Sequence, residues 1–201
     1  MLKIEKTDVY GWEAAIRGMR NPMNSWDKSD SVFTVEDDFI GDNDIALMNK
    51  LRKAGTDHRK FMRMITVSFD ITAPLYWWKE FDTYKVGTVA NSCSTMHKIH
   101  DKEITLDDFS VDEILPIHQM VVEELNCARE RFLETKDKKY WKRMIQLLPT
   151  SYNQKRTVQL NYEVLANMYH SRKNHKLDEW HDFCEWVESL PYSELITGVE
   201  K

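Results

Sequence analysis

The sequence predicts an α+β fold from two kinds of segment. Residues 64–71, MITVSFDI, alternate apolar and polar side chains, which is typical of a half-buried strand. Longer segments, such as residues 117–134, carry apolar side chains at helical spacing. The few strands and many helices come in mixed order and without an internal repeat. We therefore expect a single α+β domain over residues 1–201.

The elements predicted before residue 60 are an edge strand and two helices, at residues 2–12, 12–19 and 42–55. Asp42 or Asn43 is expected to cap the second helix, and Gly55 is expected to end it. A loop over residues 20–33 separates the two helices and is rich in Asn, Ser, Asp and Pro. Its first part, from Arg20 to Asp27, is either a ligand-binding loop or a set of ordinary surface turns.

The elements predicted after residue 70 are five helices and one strand. Pro74 is expected at the first turn of a helix, and a long amphipathic helix is expected from Ile117 to Glu134. The remaining predictions are a helix stopped by Pro149, a short strand at residues 154–161, and helices at residues 162–173 and 177–190.

A run of small, polar and β-branched residues follows the aromatic segment PLYWWKEF. This run, GTVANSCST, occupies residues 87–95. It is either a turn with ordinary hydrogen bonds or the floor of a binding site.

Composition excludes several classes of protein. The formal net charge is −5, so the surface as a whole does not indicate a nucleic-acid-binding protein. Three scattered cysteines without C-x-x-C spacing argue against a disulfide framework or a zinc site. Their pattern is typical of a protein in the reducing cytoplasm. No signal core or apolar stretch of membrane-spanning length is present, so we expect a cytoplasmic protein with no membrane partner.

Individual residues give only weak indications of chemistry. Seven histidines lack a carboxylate-backed metal spacing, so we expect no metal site. Cys93 is interpreted as a packed or polar-binding residue rather than a nucleophile, because no His–Asn set accompanies it. No glycine-rich phosphate loop is present, and phosphate binding would depend on cations. The candidate cations are Lys85, Lys155, Arg156 and Arg172.

The order of several segments resembles the flavin-dependent thymidylate synthases (ThyX). WEAAIRGM at residues 12–19 resembles the family's early helix, and residues 44–58 resemble its D-x-x-L-I-x-x-L-x-x-x-G-H segment, with His58 two residues late. VSFDITAPLYWWKEF is similar to F-T-F-E-I-x-x-P-I-F-V-A-R-Q-W, with Glu80 at the glutamine position. Residues 143–172 are similar to the family's L-P … T-R … N-A-R-x-L-x-x-F-x-x-L-R block.

The family signature, R-H-R followed by seven residues and a serine, is poorly kept. It would fall on Thr83, Tyr84 and Lys85, with Cys93 at the serine position. Lys85 alone preserves a signature charge, and Thr95 replaces a further arginine. In the downstream block, Asn161, Leu165 and Arg172 match, and Lys155 stands at the position of an arginine that contacts the nucleotide phosphate.

The resemblance implies FAD as cofactor, dUMP as substrate, and NADPH and methylenetetrahydrofolate as co-substrates. It also implies a homo-oligomer, in that family a tetramer with active sites between subunits. The cofactor-binding residues it implies are His58, Tyr84, Lys85, Asn91, Asn161 and Arg172. The substrate-binding residues it implies are Glu80, Cys93, Ser94, Thr95 and Lys155; no catalytic residue is assigned. Three alternatives stay open: a divergent enzyme, a degenerate relative that binds a ligand without thymidylate synthesis, and an unrelated helical interaction protein.

Overall fold

A computed structural model describes residues 2–35 and 38–199, and its architecture is α+β. Its main sheet has four strands in the order β1-β4-β6-β5. These strands are β1 Lys3–Tyr10, β4 Thr66–Pro74, β5 Val89–Ser92 and β6 Asn153–Asn161. The α+β prediction is therefore confirmed, and β1 lies at an edge as expected. Apolar Ile65, Val67, Phe69 and Ile71 are all buried, in agreement with the period-two pattern.

The described chain divides into two compact units. The first unit contains residues 2–3, 70–83 and 90–157, and the second contains residues 4–35, 38–69, 84–89 and 158–199. Strands β4 and β6 contribute residues to both units. The expected single domain over residues 1–201 stays a prediction.

The second unit is built from helices around an aromatic core. Its helices are α1 Trp12–Arg20, α2 Asp42–Lys53, α7 Tyr162–Arg172, α8 Asp178–Glu188 and α9 Glu194–Thr197. Trp12 packs edge-on against Tyr162 with ring centroids 5.3 Å apart, and Phe69 lies 4.5 Å from Trp186. The contact between Trp12 and Tyr162 holds the start of α7, which carries several predicted site residues.

The first unit is organised by a long helical hairpin. Its helices are α3 Leu75–Phe81, α4 Thr95–Lys98, α5 Pro116–Thr135 and α6 Lys138–Leu147. Leu125 and Ala128 of α5 pack with Met144 of α6 and with Ile99 and Ile104. The predicted long helix and the stop before Pro149 are confirmed. Among the helices of the described ranges, none combines the length and the hydropathy that crossing a bilayer requires.

Two predictions about helix starts are wrong. Pro74 is the last residue of β4, with an extended backbone, and α3 begins at Leu75. Neither Asp42 nor Asn43 caps α2, because Gly41 occupies the N-cap position. The Asp30 carboxylate instead accepts hydrogen bonds from the backbone N–H groups of Asn43 and Asp44, at 2.9 and 3.2 Å. A cap supplied from outside the helix leaves no local pattern in the sequence.

A small antiparallel hairpin precedes α2. Strand β2 Val32–Phe33 pairs with β3 Asp38–Phe39, with Val32 opposite Phe39 and Phe33 opposite Asp38. The polar run at residues 87–95 begins in a turn at Gly87 and Thr88 and continues in regular structure. It forms β5 and the start of α4.

Candidate functional site

The first candidate site is a cation held on aromatic rings in the second unit. Arg172, the last residue of α7, donates from Nε to the phenol oxygen of Tyr84 at 2.9 Å. Its guanidinium lies 4.8 Å from the ring centroid of Trp180 and 5.5 Å from that of Tyr84. Because Trp180 is fully buried, the rings fix the guanidinium in one orientation at a half-buried position. We call Arg172, Tyr84 and Trp180 the Arg172 cluster.

A tight turn follows Tyr84 and approaches the start of α7. Gly87 has φ +75°, and a Cβ placed there would lie 3.0 Å from Asn161 Nδ2 and 3.2 Å from Val164 Cγ2. Asn161 Oδ1 caps α7 by accepting from the Val164 N–H at 3.0 Å. This turn therefore depends on glycine, both for its backbone conformation and for its close approach to Asn161.

Thr88, the next residue of the turn, carries a hydroxyl oxygen that is buried. Within residues 2–35 and 38–199 this oxygen has no hydrogen-bond partner. Buried hydroxyls are nearly always paired, so Thr88 is an exception among the described residues.

The second candidate site is the Cys93 segment, residues 91–95 of the first unit. The Cys93 N–H donates to the Lys155 carbonyl at 2.9 Å, and Gln154 Nε2 donates to the Cys93 carbonyl at 2.9 Å. The backbone of Cys93 is therefore held against β6, while its side chain is exposed. Ser94 Oγ accepts from the His97 N–H at 3.0 Å and caps α4. Asn91 is exposed on β5, and Thr95 is half-buried.

Lys155, the cation predicted for the nucleotide phosphate, already has an anionic partner. Its Nζ lies 3.1 Å from Asp70 Oδ2, and Thr157 Oγ1 donates to Asp70 Oδ1 at 2.6 Å. The Asp70 carboxylate is largely buried, whereas the Lys155 side chain is 40% exposed. The local charge at this position is therefore close to neutral, although the amino group is accessible.

The other predicted residues are placed as follows. His58 and Lys85 are exposed, in turns of the second unit, and Glu80 is half-buried on α3 of the first unit. The structure thus joins Tyr84 to Arg172, and the Cys93 segment to Lys155. The ligand-binding roles of all these residues stay predictions.

The polar loop from Arg20 to Asp27 has a structural explanation. Arg20 Nε donates to Asp44 Oδ1 at 2.6 Å, and its Nη atoms donate to the carbonyls of Ser25 and Lys28. Ser29 and Ser31 hydroxyls each donate to Asp44 Oδ2 at 2.6 Å. Burial alone would raise the pKa of Asp44, but the hydrogen bonds from Ser29, Ser31 and Arg20 outweigh it and hold the pKa below its ordinary value.

Comparison with solved structures identifies the fold. The chain superposes on the flavin-dependent thymidylate synthase ThyX of Helicobacter pylori in complex with FAD and dUMP, with a TM-score of 0.78, 16% identity and coverage of 99% of this chain and 100% of that one. This chain has the ThyX fold. A second structure of the H. pylori enzyme with FAD and dUMP gives a TM-score of 0.76 at 15% identity, covering 98% of each chain. The UMP/dUMP methylase PolB of Streptomyces cacaoi, bound to 5-Br dUMP, gives 0.66 at 15% identity, covering 98% of this chain and 95% of that one.

The predicted resemblance to ThyX is therefore confirmed at the level of the fold. No family model matches the chain, and no curated protein matches it. The likeness lies in the arrangement of helices and strands, because the sequence identity to the solved structures is only 15–16%. The ThyX fold in this chain is thus visible in three dimensions and in the order of segments.

Sequence reasoning did not single out one buried charged residue of the ThyX-like block. Glu163 stands at the arginine of N-A-R-x-L, and it is only 6% exposed. Its two carboxylate oxygens contact Arg59 and Arg63, which lie on a 3₁₀ helix at Arg59–Arg63. A comparison of the motif letter by letter would have shown that an acidic residue replaces an arginine. It would not have shown that Arg59 and Arg63 pair with this residue.

Proposed function

We propose that this chain is a divergent ThyX-like protein that binds FAD and a pyrimidine nucleotide. The observation that carries the proposal is the likeness of fold over 99% of this chain and all of the H. pylori enzyme, whose structure holds FAD and dUMP. The PolB methylase, which is bound to a brominated dUMP, supports the pyrimidine nucleotide as the ligand class.

The second unit offers residues that fit a flavin cofactor. The Arg172 cluster presents a fixed cation on aromatic rings, which suits the anionic and planar parts of a dinucleotide. The turn that follows Tyr84 contains Gly87, which lacks a Cβ, and Thr88, whose hydroxyl is buried. In this proposal Arg172 and Lys85 hold anionic groups, Asn161 contributes an amide, and Tyr84 and His58 contribute rings. A bound flavin would supply the reducing equivalents.

The first unit fits a nucleotide phosphate less well. Asp70 already compensates the charge of Lys155, and Thr95 replaces an arginine of the ThyX pattern. Lysine also lacks the bidentate fork that arginine offers to phosphate. This observation favours a second candidate function, a ThyX-fold protein that binds a nucleotide or another ligand without thymidylate synthesis. Glu80, Cys93 and Ser94 would then recognise the changed ligand.

Flavin binding is tested by reconstitution with excess FAD. We expect the purified protein to retain the yellow flavin absorbance after removal of free cofactor. Arg172→Ala should weaken FAD binding about tenfold or more, in line with the loss of a charge-assisted contact. Arg17→Ala is a matched control, because Arg17 is exposed and pairs with exposed Glu13. Absence of flavin absorbance in the wild-type protein would refute the proposal.

Nucleotide binding and turnover are tested separately. We expect dUMP or UMP to raise the melting temperature, and Lys155→Ala to abolish the shift. Asp70→Asn should strengthen nucleotide binding, since it removes the carboxylate that competes for Lys155. Two assays distinguish thymidylate synthesis from binding without it. One measures conversion of dUMP to dTMP with NADPH and methylenetetrahydrofolate, and the other measures rescue of a thymidine-requiring strain. Nucleotide binding without either result would favour the second candidate.

We also propose that the chain assembles as a homotetramer, as the resemblance to ThyX implies. Size-exclusion chromatography with light scattering measures the assembly directly, and a monomer at working concentration would contradict the proposal.

A further inference from the structure

The turn between α5 and α6 concentrates positive charge in the first unit. Residues 136–143, KDKKYWKR, contain five cations and one carboxylate, in a chain whose formal net charge is −5. We call this segment the basic tip. Its cations are all exposed, and they are Lys136, Lys138, Lys139, Lys142 and Arg143.

The backbone of the basic tip is held at both ends. The Lys136 N–H donates to the Phe132 carbonyl at 2.9 Å and closes α5. Asp137 Oδ1 accepts from the Lys139 N–H at 2.9 Å and caps α6. Lys136 has φ +55°, a left-handed conformation that favours glycine. The lysine therefore adds a charge at a position where backbone preference alone would favour glycine.

The α6 helix packs one side on the core and presents cations on the other. Met144 is fully buried, and Trp141 packs against the same core cluster. Lys138 and Lys142 are exposed and four residues apart, so their side chains leave the helix on the same side, about 6 Å apart along its axis. The buried side of α6 thus fixes the spacing of these two cations.

Aromatic rings orient the cations without neutralising them. The Lys139 Nζ lies 4.7 Å from the centroid of the Tyr140 ring, and the Lys138 Nζ lies 5.9 Å from the centroid of the nearest Trp141 ring. A ring attracts a cation but carries no net charge, so the positive charge stays available to a ligand. Orientation in advance also reduces the conformational entropy that a lysine side chain loses on binding.

Nearby carboxylates offset only part of this charge. The Lys139 Nζ lies 3.1 Å from Asp137 Oδ2, and Arg143 Nη1 lies 3.1 Å from Glu124 Oε1. Both ion pairs are at the surface, where such pairs are weak, so a phosphate can compete for these two cations.

Three lysines of the basic tip are left without a counter-charge. Within residues 2–35 and 38–199, Lys136, Lys138 and Lys142 form no ion pair. The remaining acids of the second half of α5 are engaged elsewhere. Glu134 pairs with Arg131, and Glu123 and Glu130 line a cavity with residues 103–107.

The chemistry of the basic tip favours a nucleic acid over a membrane or a protein. Among the described residues 131–143, Leu133, at 37%, is the one large apolar side chain that is exposed. A helix that lies on a bilayer inserts a wide apolar face, and a protein interface has an apolar core, so one leucine suits neither. Phosphate groups are recognised by accessible cationic donors without apolar surface.

We propose that the basic tip binds a single-stranded nucleic acid through its phosphates, without reading its sequence. Three lysines without a counter-charge suit a short stretch of one strand, whereas a duplex-binding protein typically neutralises about 6–10 phosphates. The negative charge of the whole chain confines the contact to the tip and makes it sensitive to salt. Neither FAD binding nor thymidylate synthesis is needed for this contact.

Fluorescence anisotropy of a labelled oligouridylate of about 20 nucleotides, titrated with the full chain from about 50 mM salt upward, tests the proposal. We expect saturable binding that weakens as salt rises. The double variant Lys138→Ala with Lys142→Ala should bind about tenfold more weakly at the lowest salt. Its slope of log affinity against log salt should be shallower by about 1.4, since each phosphate contact to a single strand contributes about 0.7.

The matched control is the double variant Lys98→Ala with Lys102→Ala. These lysines also belong to the first unit, and their side chains are 71% and 66% exposed, but each pairs with a carboxylate, Asp101 or Asp108. The control removes the same formal charge and should bind the strand as the wild type does. Melting temperatures verify that both double variants are folded.

Other outcomes overturn the proposal. It is wrong if the anisotropy does not saturate at low salt, or if both double variants lose affinity equally. If Lys155→Ala or excess dUMP abolishes binding, the strand enters the candidate nucleotide site instead. If anionic lipid vesicles, polyglutamate or a duplex bind through Lys138 and Lys142 more tightly than the single strand does, the ligand class is wrong. Oligothymidylate of the same length should bind about as tightly, because the phosphates carry the contact.

Discussion

Arg20→Met should be among the most destabilising single changes in the second unit. The Arg20 side chain is 4% exposed and that of Asp44 is 0% exposed, so the variant leaves a buried carboxylate without its cation. Breaking a buried ion pair in this way costs about 3–5 kcal/mol of unfolding free energy. For a chain of this size, each kcal/mol lowers the melting temperature by about 2–4 °C, so we expect a drop of roughly 6–20 °C.

The same helix supplies a matched control. Arg17 and Glu13 of α1 form an ion pair at 3.3 Å in which the side chains are 65% and 64% exposed. Arg17→Ala should therefore cost less than about 0.5 kcal/mol. Urea unfolding followed by tryptophan fluorescence and by far-ultraviolet circular dichroism measures both variants, and agreement of the two signals tests whether unfolding is cooperative.

A double-mutant cycle isolates the interaction itself. Asp44→Leu combined with Arg20→Met replaces the pair with apolar side chains, so the double variant should be more stable than the sum of the single losses predicts. We expect a coupling energy of at least about 1 kcal/mol, typical of directly contacting residues. A coupling energy near zero would show that Arg20 acts through its bonds to the carbonyls of Ser25 and Lys28 and would refute the ion-pair argument.

The pH dependence gives an independent check on the same pair. The pKa of Asp44 is lower in the folded protein than in the unfolded chain, so the folded carboxylate resists protonation. Its contribution is complete above the unfolded pKa of about 4 and is lost as the pH falls through the lower folded value. Stability of the wild type should therefore decline below about pH 4 more steeply than that of Asp44→Leu.

Three further predictions concern single residues. Gly87→Ala should destabilise the second unit by about 1 kcal/mol or more and perturb the Asn161 cap, because Gly87 has φ +75° and the new Cβ would lie 3.0 Å from Asn161 Nδ2. Chemical denaturation measures this loss, and an unchanged unfolding midpoint would contradict the prediction. A hydrogen bond to Glu188, together with burial, raises the pKa of Tyr169 to about 12, so stability should fall as the pH rises from about 10 to 12, and Tyr169→Phe should lack this part of the decline. Cys93 and Cys127 are exposed and should react quickly with a thiol reagent. Cys184 should be protected, because burial raises the pKa of its thiol to about 11. Equal reaction rates for all three cysteines would contradict the burial of Cys184.

Local patterns were sufficient to predict most helices and the central strand. The predicted helices at residues 117–134, 162–173 and 177–190 correspond to α5, α7 and α8, because their apolar periodicity and their end signals lie within the helices themselves. The predicted strand at residues 154–161 corresponds to β6 for the same reason. The predicted cap of α2 was wrong, because the capping carboxylate comes from Asp30, twelve residues before the helix begins.

The candidate site was less predictable because it depends on pairs that are far apart in the chain. Asp70 and Lys155 are separated by 85 residues and Tyr84 and Arg172 by 88, so no window of sequence contains both partners. Motif comparison assigns a role to each residue separately. It could not show that Lys155 is already neutralised, or that the polar loop after Arg20 serves the buried Asp44.

In this ThyX-fold chain, the charge that a residue offers to a ligand depends on its ion-pair partners and not only on its position in the motif. Lys155 keeps a positive charge where the ThyX pattern has one, yet Asp70 offsets it. Glu163 reverses the charge at another arginine position, and its carboxylate pairs with Arg59 and Arg63 from a different element. Comparison of Lys155→Ala with Asp70→Asn, using dUMP as the probe, tests this argument: the first variant should weaken binding and the second should strengthen it.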